Sequence, residues 1–572
     1  DRVLIRFREG VGADQQSALA GKYGLFLREH LGARDYLYQL TPHTNMNPVK
    51  LVVALTEKES ASVEFAEHDL NRVMECSALA LPSDPLYLRE WHLHRGSTDP
   101  DFDPRSSARC EEAWQLLNHF GSADVVIGVT DDGCRLDHPD FAPSKFAGWG
   151  FFQGSDLITD RSAGADPARM YQSDANHGTS CCGVAAGDSN GVFTVGAAPG
   201  AKLLPIKWES ANRRLMISDS KLLRALDYVA DKVDILSNSW GGTPSSVWSL
   251  AVVERIRTLA LTGGRRGKGM LFLFAAGNWN CPLNHSGAVQ IPFSNGWSFD
   301  NASTPTWVGV RTSAVFSNNL VGIDGVLHIA ALSSRATRSH YSCWGEGIAL
   351  TAPSSNSHMY LRASVRGLGI TTATGLASVT RADFGGTSSA TPLVAGVAAL
   401  VLSANGQLSA VELASLLRRT ASKDLDFTAY PKTPPASFDP NTSWDISPVA
   451  PHDNGIFRDR GLADGTWSPW FGHGCVNAFA AVSEALRQSP RGAVEAFVSS
   501  PDVLIPDNSP AGAVDRIVIN TTGDIVSLEV SVEITHTWIG DLRVTLTSPG
   551  GEVAVLHDRT GSSGHDIRTT YT

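Results

Sequence analysis

The spacing of apolar and polar residues divides the chain into three stretches. From Asp1 to about Glu75 two similar halves follow one another. The pattern predicts strands at Val3 to Phe7, Leu25 to Arg28, Tyr36 to Leu40 and Ser62 to Phe65, with helices at Gln15 to Tyr23 and Pro48 to Glu57. A β-α-β unit given twice is the split arrangement of ferredoxin-like α+β domains. From about Asp84 to Gln488 short continuous apolar runs alternate with longer helical patterns. The runs are Val125 to Val129, Leu203 to Ile206, Ile235 to Ser237, Met270 to Phe274 and Leu327 to Ala331; the helical patterns include Ser218 to Lys232 and Ser246 to Leu261. Strands buried on both faces read this way, so an α/β fold with a parallel sheet and helices on both faces is expected. Ligand chemistry in such a fold sits beyond the carboxyl ends of the strands.

The third stretch begins near Ala493 and changes period. Ile517 to Asn520, Val526 to Ile534 and Leu542 to Thr547 alternate apolar with polar residues, and turn signals at Thr522-Gly523 and Pro549 to Gly551 separate them. This predicts an antiparallel, all-β sandwich. A sandwich of the usual ~100 residues does not fit into what remains, so a truncated C-terminus is expected.

Composition alters this picture little. The chain has 572 residues, 42% hydrophobic and 18% charged, with a net charge of -11. Its Lys and Arg residues are scattered, whereas a nucleic-acid partner would call for a basic stripe. The longest apolar stretch, Leu393 to Leu402, is interrupted by Gly396 and reads as a buried helix rather than a membrane span. The chain starts at Asp1 without Met or an apolar leader, so either a signal peptide has been removed or the chain was trimmed. Eight cysteines in this length do not make a disulfide scaffold, although a few bridges would fit export.

Chemistry concentrates where strands end or helices begin. Asp131-Asp132-Gly133 directly follows an apolar strand, Asn176-His177-Gly178-Thr179 opens a helical run, and Gly385 to Pro392 is a glycine-rich turn entering the apolar helix. A serine at a helix N-terminus lies among oriented N–H groups that favour developing negative charge. Ser388 is thus expected as nucleophile, His177 as the base that relays its proton, and Asp131 as the group that holds the imidazole. Phe274 to Asn278 adds a side-chain amide at a strand end, which can donate to a tetrahedral oxyanion together with the Ser388 N–H. Cys181, one helical turn after His177, is expected to pack beneath it as a small apolar residue. Cys134, Cys181 and Cys182 lie near the site without any zinc-like spacing.

Asp131-Asp-Gly, His177-Gly-Thr, Ser239-Trp-Gly, Ala276-Gly-Asn278 and Gly386-Thr-Ser388-Ser-Ala-Thr-Pro resemble the motif set of the subtilisin superfamily, in its Asp…His…Ser order. The Asp-Asp-Gly and Ser-Trp-Gly forms are similar to kexin and furin-like proprotein convertases and their bacterial relatives. Thr537 to Pro549 resembles the P domain of those enzymes. The resemblance implies a secreted serine endopeptidase, acting as a monomer on polypeptide substrates. It further implies substrate-binding residues at Ser239, Trp240 and Gly241 and at Ala275, Ala276 and Gly277. A bound calcium ion is also implied, on Asp84, on Asp140 nine positions after Asp131, on Asn190, and on the carbonyls of Gly187, Val192 and Thr194. Oxygen ligands of this kind suit calcium.

Under the same resemblance residues 1–80 are a propeptide that inhibits and helps to fold its own enzyme, 81–490 the catalytic domain, and 491–572 the P-domain-like sandwich. Self-cleavage is expected between about Val73 and Ser83, which leaves Asp84 on the mature side. The sequence departs from the convertases at specificity positions. Gly241 continues as Gly-Thr-Pro-Ser-Ser, and Asn278 as Trp-Asn-Cys-Pro-Leu-Asn-His, without an acid in either run, and Cys343 occupies a third acid position. Strong selection of Arg or Lys needs a carboxylate in the pocket, so neither strict dibasic cleavage nor a second calcium is expected. An insertion between Pro282 and Val326, rich in Ser, Asn, Gly and Trp, is expected as a loop on the pocket rim. Cys281 and Cys343, each beside a pocket-forming motif, are the favoured disulfide. The competing readings are an exopeptidase on the same scaffold and a catalytically silent peptide-binding relative.

Overall fold

The computed structural model describes the chain apart from residues 1, 33, 70–78, 174, 212–213, 242–244, 300–304, 358–364, 429–450, 490–496, 500, 507–508, 510–511, 520–527, 529, 549–550, 552 and 572, with backbone only at 288–299, 305–314 and 570. It forms two units, Asp1–Ala78 and Leu79–Thr572. The region expected to hold self-cleavage lies largely outside the described residues, as do the start of the third stretch and its turn signals.

In the first unit the strands Arg2–Phe7, Leu25–Gly32, Asp35–Leu40 and Val63–His68 stand in the order second, third, first, fourth, with every neighbouring pair antiparallel. Helices α1 (Ala13–Tyr23) and α2 (Pro48–Lys58) connect them. This is the ferredoxin-like topology that the doubled β-α-β pattern predicts. Val3, Ile5 and Phe7 alternate into the core and meet Leu51, Ala54 and Leu55, one face of α2. The Asn47 side chain accepts from the Lys50 N–H and starts α2, with Pro48 as its first residue. Gly24 ends α1 at φ 65°, where a Cβ would stand 2.6 Å from the His43 carbonyl carbon, so only glycine fits the turn.

The second unit is built on an eight-stranded sheet. Its order is Ile348–Pro353, Val326–Leu332, Leu271–Ala275, Ile235–Asn238, Val126–Asp131, Lys202–Lys207, Gly150–Gln153 and Asp156–Thr159. All neighbours are parallel except the last pair. Side-chain alternation sends Ile127, Val129, Leu203, Ile235, Leu271 and Leu273 to one face, where α3 (Cys110–Leu117), α4 (His177–Ala186), α7 (Thr387–Ala404) and α8 (Ala478–Gln488) cover them. Val126, Leu204, Leu236, Phe272 and Phe274 point to the other, under α5 (Asp219–Val229) and α6 (Leu250–Thr262). Helix α7 is long and apolar enough to cross a membrane, yet every residue from Thr387 to Leu402 is buried in this core.

Two expectations are corrected. The insertion between Pro282 and Val326 is a long antiparallel ribbon, His285–Phe299 against Pro305–Asn318, and not a loop. Its Ser, Asn and Gly content suggested a loop, but Val289, Ile291, Trp297, Trp307, Val308 and Val310 are residues that suit a pleated ladder. In the third stretch Val530–Ile534 pairs with Ile567–Tyr571 and Arg543–Thr547 with Val553–Asp558, both antiparallel. Ile517 to Ile519 form no strand; these three side chains stay about half exposed, since alternation makes a strand only where a partner takes its edge and a core takes its face.

Candidate active site

Strand Val126–Asp131 ends on Asp131, which is 2% exposed. Asp131 Oδ1 accepts from His177 Nδ1 at 2.8 Å and from the Asp132 N–H at 2.7 Å, while Oδ2 is buried without a hydrogen-bond partner. With Nδ1 donating, the imidazole tautomer leaves Nε2 as the proton acceptor. His177 is the first residue of α4. The carboxylate of Asp132 takes the orphan donors of that helix end, Gly178 N–H at 2.7 Å and His177 N–H at 3.2 Å. Gly178 is required here, since a Cβ would sit 2.1 Å from the Gly133 carbonyl oxygen.

Electrostatics follow from this burial. Burial lowers the His177 pKa, but the charge of Asp131, the neighbouring Cys181 and the Asp131 hydrogen bond outweigh it and leave His177 above its ordinary value. Burial and then the charge of Asp131 push Asp132 up to about 7. The Cys181 sulfur lies 3.8 Å from His177 Nδ1 and 3.6 Å from the Ser388 carbonyl oxygen, beneath the ring as expected. Asp131, His177 and Cys181 bring three potential ligand atoms within 4.8 Å of one another. Burial first, then Asp131, raises the Cys181 thiol to about 11, so it stays protonated and is a poor metal donor.

Ser388 is the second residue of α7 and 8% exposed. Its hydroxyl donates to the Ser239 carbonyl at 3.2 Å, and the Ser239 hydroxyl donates back to the Ser388 carbonyl at 3.0 Å. No hydrogen bond joins Ser388 Oγ to the imidazole in this conformer; catalytic contacts of this kind often close only around substrate. Asn278 is held by its oxygen, which accepts from Thr387 N–H at 2.8 Å and from Thr387 Oγ1 at 3.0 Å. Those donors orient the amide and leave its NH₂ free to donate. The Gly386 that precedes α7 has φ 76°, and a Cβ there would come within 2.9 Å of Asn278 Nδ2.

The predicted substrate residues divide. Trp240, Gly241, Ala275 and Ala276 line a cleft beside Ser239, whereas the Gly277 N–H is turned to Thr387 Oγ1 at 3.1 Å. Trp248, Asn318 and Leu320 also line that cleft and lie outside every motif, so the sequence alone did not point to them. The Cys281 and Cys343 sulfurs, both buried, are 3.7 Å apart, in contact but beyond the ~2.05 Å of a disulfide bond.

The predicted calcium residues gather around the 188–194 loop. Asp84 accepts from Ser189 Oγ at 3.2 Å, Asn190 N–H at 3.2 Å and Gly191 N–H at 3.0 Å. Asp140 Oδ2 accepts from Thr194 N–H at 3.2 Å and Thr194 Oγ1 at 2.5 Å, while Oδ1 is buried without a partner. Asn190 donates to the Pro139 carbonyl at 2.9 Å, and its oxygen accepts from Val192 N–H at 3.0 Å. The Gly187 carbonyl already accepts from Gly196 N–H at 3.0 Å. Sequence reading missed Glu90, 0% exposed, both of whose oxygens share the Val195 N–H. Burial, then Asp140 and Asp84, raise its pKa well above the carboxylate range. Its signal was an acid among Leu86, Tyr87, Leu88, Trp91 and Leu93. Among the described residues no Lys or Arg pairs with Asp84, Asp140 or Glu90. Buried carboxylates without a counter-charge, one oxygen orphaned, fit a hard divalent cation.

A profile of the Subtilase family matches residues 122–474, which span His177, Asn278, Ser388 and the whole eight-stranded sheet. The chain belongs to the subtilase family. A profile of the proprotein convertase P-domain matches residues 525–572 of this subtilase. It is a serine protease with a subtilisin-like fold. It is similar to a calcium-dependent protease of Nostoc sp. (strain PCC 7120), 30% identical over 598 residues that cover 100% of this chain and 76% of the relative. Endoprotease bli-4 of Caenorhabditis elegans is 28% identical over 502 residues, 84% of this chain and 44% of its own. Human proprotein convertase subtilisin/kexin type 6 is 27% identical over 497 residues, 83% and 42% of the two chains.

Proposed function

We propose that this subtilase is an exported, calcium-stabilised endopeptidase made as a proenzyme, with Asp131, His177 and Ser388 as its triad. The observation that carries the reading is the 2.8 Å hydrogen bond from His177 Nδ1 to the buried Asp131, which leaves Nε2 basic. In the reactive conformer the Ser388 hydroxyl would donate to that nitrogen instead of to the Ser239 carbonyl. Oγ then bonds to the scissile carbonyl carbon as its proton passes to Nε2. The oxyanion is held by the Asn278 NH₂ and the Ser388 N–H at the start of α7. The C–N bond breaks as the imidazolium returns its proton to the leaving amine. Water, deprotonated by the same nitrogen, releases the acid and regenerates Ser388.

Calcium would be held by Asp84, Asp140 and Asn190 with the carbonyls of Val192, Thr194 and Gly187. Bound there, it supplies the positive charge that three buried acids lack. The first unit acts as an inhibitor and folding aid that is removed by self-cleavage, and its ferredoxin-like topology supports that role.

The test is covalent labelling with a serine-directed fluorophosphonate, together with cleavage of an internally quenched peptide blocked at both ends. Label on Ser388 that is lost in Ser388→Ala, with cleavage of the blocked peptide, is expected. Absence of label points to a silent peptide-binding relative, and label without cleavage of the blocked peptide to an exopeptidase.

A further inference from the structure

The turn that presents Ser388 is held from outside its own segment. Gly386, the residue before α7, has φ 76° and ψ 170°, and no side chain caps the helix there. A glycine at positive φ is the least restrained of residues, so its conformation has to be fixed by whatever its peptide groups meet. Two residues distant in sequence meet them. The Gly386 N–H donates to the Tyr341 hydroxyl at 2.9 Å, and the Ser354 hydroxyl donates to the Gly386 carbonyl at 2.7 Å. The two hydroxyl oxygens are themselves 2.8 Å apart. The Ser389 N–H also reaches that carbonyl, at 3.1 Å, but among the described residues Tyr341 is the one acceptor for the N–H.

Tyr341 is 5% exposed and lies beyond the end of strand Val326–Leu332. Its hydroxyl donates to the Ser355 carbonyl at 2.8 Å, which leaves the oxygen to accept from Gly386. Burial raises its pKa against the lowering effect of these hydrogen bonds, so the phenol keeps its proton at neutral pH. The Ser339 hydroxyl donates to the same Ser355 carbonyl at 2.7 Å, and Ser354 Oγ lies 2.8 Å from Ser389 Oγ. Three segments therefore converge on one glycine: the stretch after Val326–Leu332, the residues after Ile348–Pro353, and the first turn of α7.

The charge-stabilising end of the site hangs on that glycine. The peptide joining Gly386 to Thr387 has its carbonyl held by Ser354 and its N–H bonded to Asn278 Oδ1 at 2.8 Å. Thr387 Oγ1 bonds to the same amide oxygen, and the next residue supplies the Ser388 N–H. A Cβ on Gly386 would come within 2.9 Å of Asn278 Nδ2, so this backbone packs directly on the amide. A tilt of the turn would swing both donors together. Donors fixed in advance need no reorganisation as charge develops, and a misplacement of about 1 Å can cost about 10²-fold.

On the endopeptidase reading above, we infer that Tyr341 is a positioning residue for the reaction: with Ser354 it fixes the two peptides that flank Gly386 and so aims both oxyanion donors, the Asn278 NH₂ and the Ser388 N–H. Its hydroxyl bonds to no member of the triad. It stands 45 positions from Gly386, outside every motif that carries the family resemblance.

The experiment is a double-substitution cycle on the full chain in calcium, with kcat and KM read on the blocked quenched peptide and counted per site titrated to completion by fluorophosphonate. Tyr341→Phe keeps the ring and removes the oxygen. It is expected to lower kcat by about 10- to 100-fold, with KM within about twofold. In the Asn278→Ala background the same substitution is expected to cost about threefold or less, because most of what Tyr341 aims is already gone. A tyrosine that only packs would lower Tm and the labelled fraction and leave kcat per site unchanged. A kcat per site within about twofold of wild type, a rise in KM alone, or equal losses in the two backgrounds overturns the positioning role and leaves the endopeptidase reading in place. A Tyr341→Phe chain that takes no label has failed to fold; Ser354→Ala, which releases the Gly386 carbonyl, then carries the same cycle. Wild-type chain that takes no label removes both.

Discussion

The second unit buries two clusters of acids, and it treats them in opposite ways. Asp131 and Asp132 are met by the protein itself: an imidazole, a backbone N–H and two donors from the start of α4. Asp84, Asp140 and Glu90 receive only loop N–H groups and hydroxyls, and no side-chain cation among the described residues. Asp140 is pushed up to about 6 by burial, against the lowering effect of its Thr194 hydrogen bonds. One functional group, buried in both clusters, therefore meets two different surroundings. Under the proposed function, the carboxylate paired with a titratable partner serves the chemistry, and the carboxylates left short of positive charge serve to hold an ion.

Substitutions separate the clusters most sharply at the catalytic one. Ser388→Ala should lower kcat by about 10⁶-fold and Asp131→Asn by about 10⁴-fold, with the calcium dependence of Tm unchanged in both. A calcium-insensitive Asp131→Asn protein would join the two clusters into one site. Asn278→Ala should cost about 10²–10³ in kcat with little change in KM, because its NH₂ meets charge only in the transition state.

The second cluster should answer to metal and leave chemistry alone. Chelation is expected to lower Tm by about 5–10 °C, since an ion at 100 times its Kd contributes about 2.7 kcal/mol to a native state. Asp140→Asn should abolish that response while its kcat at 25 °C stays within about threefold of wild type. An unchanged melting curve on chelation would take calcium out of the account.

The smallest effect lies in pH. His177 is held above its ordinary value, and a general base must be neutral, so kcat/KM should fall as pH drops through an apparent pKa above about 6.5. Asp132 is itself raised to about 7 and is largely neutral below that pH, so Asp132→Asn should move the limb by less than about one unit. A limb below pH 6 in the wild type would contradict the buried Asp131–His177 pairing.

Much of the fold was legible because burial on both faces leaves continuous apolar runs, and five of the eight central strands were read from them within a few residues. The hairpin Gly150–Gln153 with Asp156–Thr159 escaped notice, since its four-residue strands carry too little periodicity. The long ribbon escaped because its polar residues resemble those of a loop. Glu90 could be seen only as an acid among apolar residues; Asp140 and Val195, which it faces, lie 50 or more positions away.

The sequence by itself determined where the groups of the proposed chemistry stand: Asp131, His177, Asn278 and Ser388 lie at or near element ends, and local strand and helix boundaries suffice to expose them. Only the tertiary structure decided the surroundings. It set Asp132 under the N-terminus of α4, left Asp140 with an orphaned oxygen, and closed Trp248 and Leu320 onto the Trp240 rim. Reactive groups follow from position along the chain, whereas charge balance and pocket shape depend on contacts between segments distant in sequence.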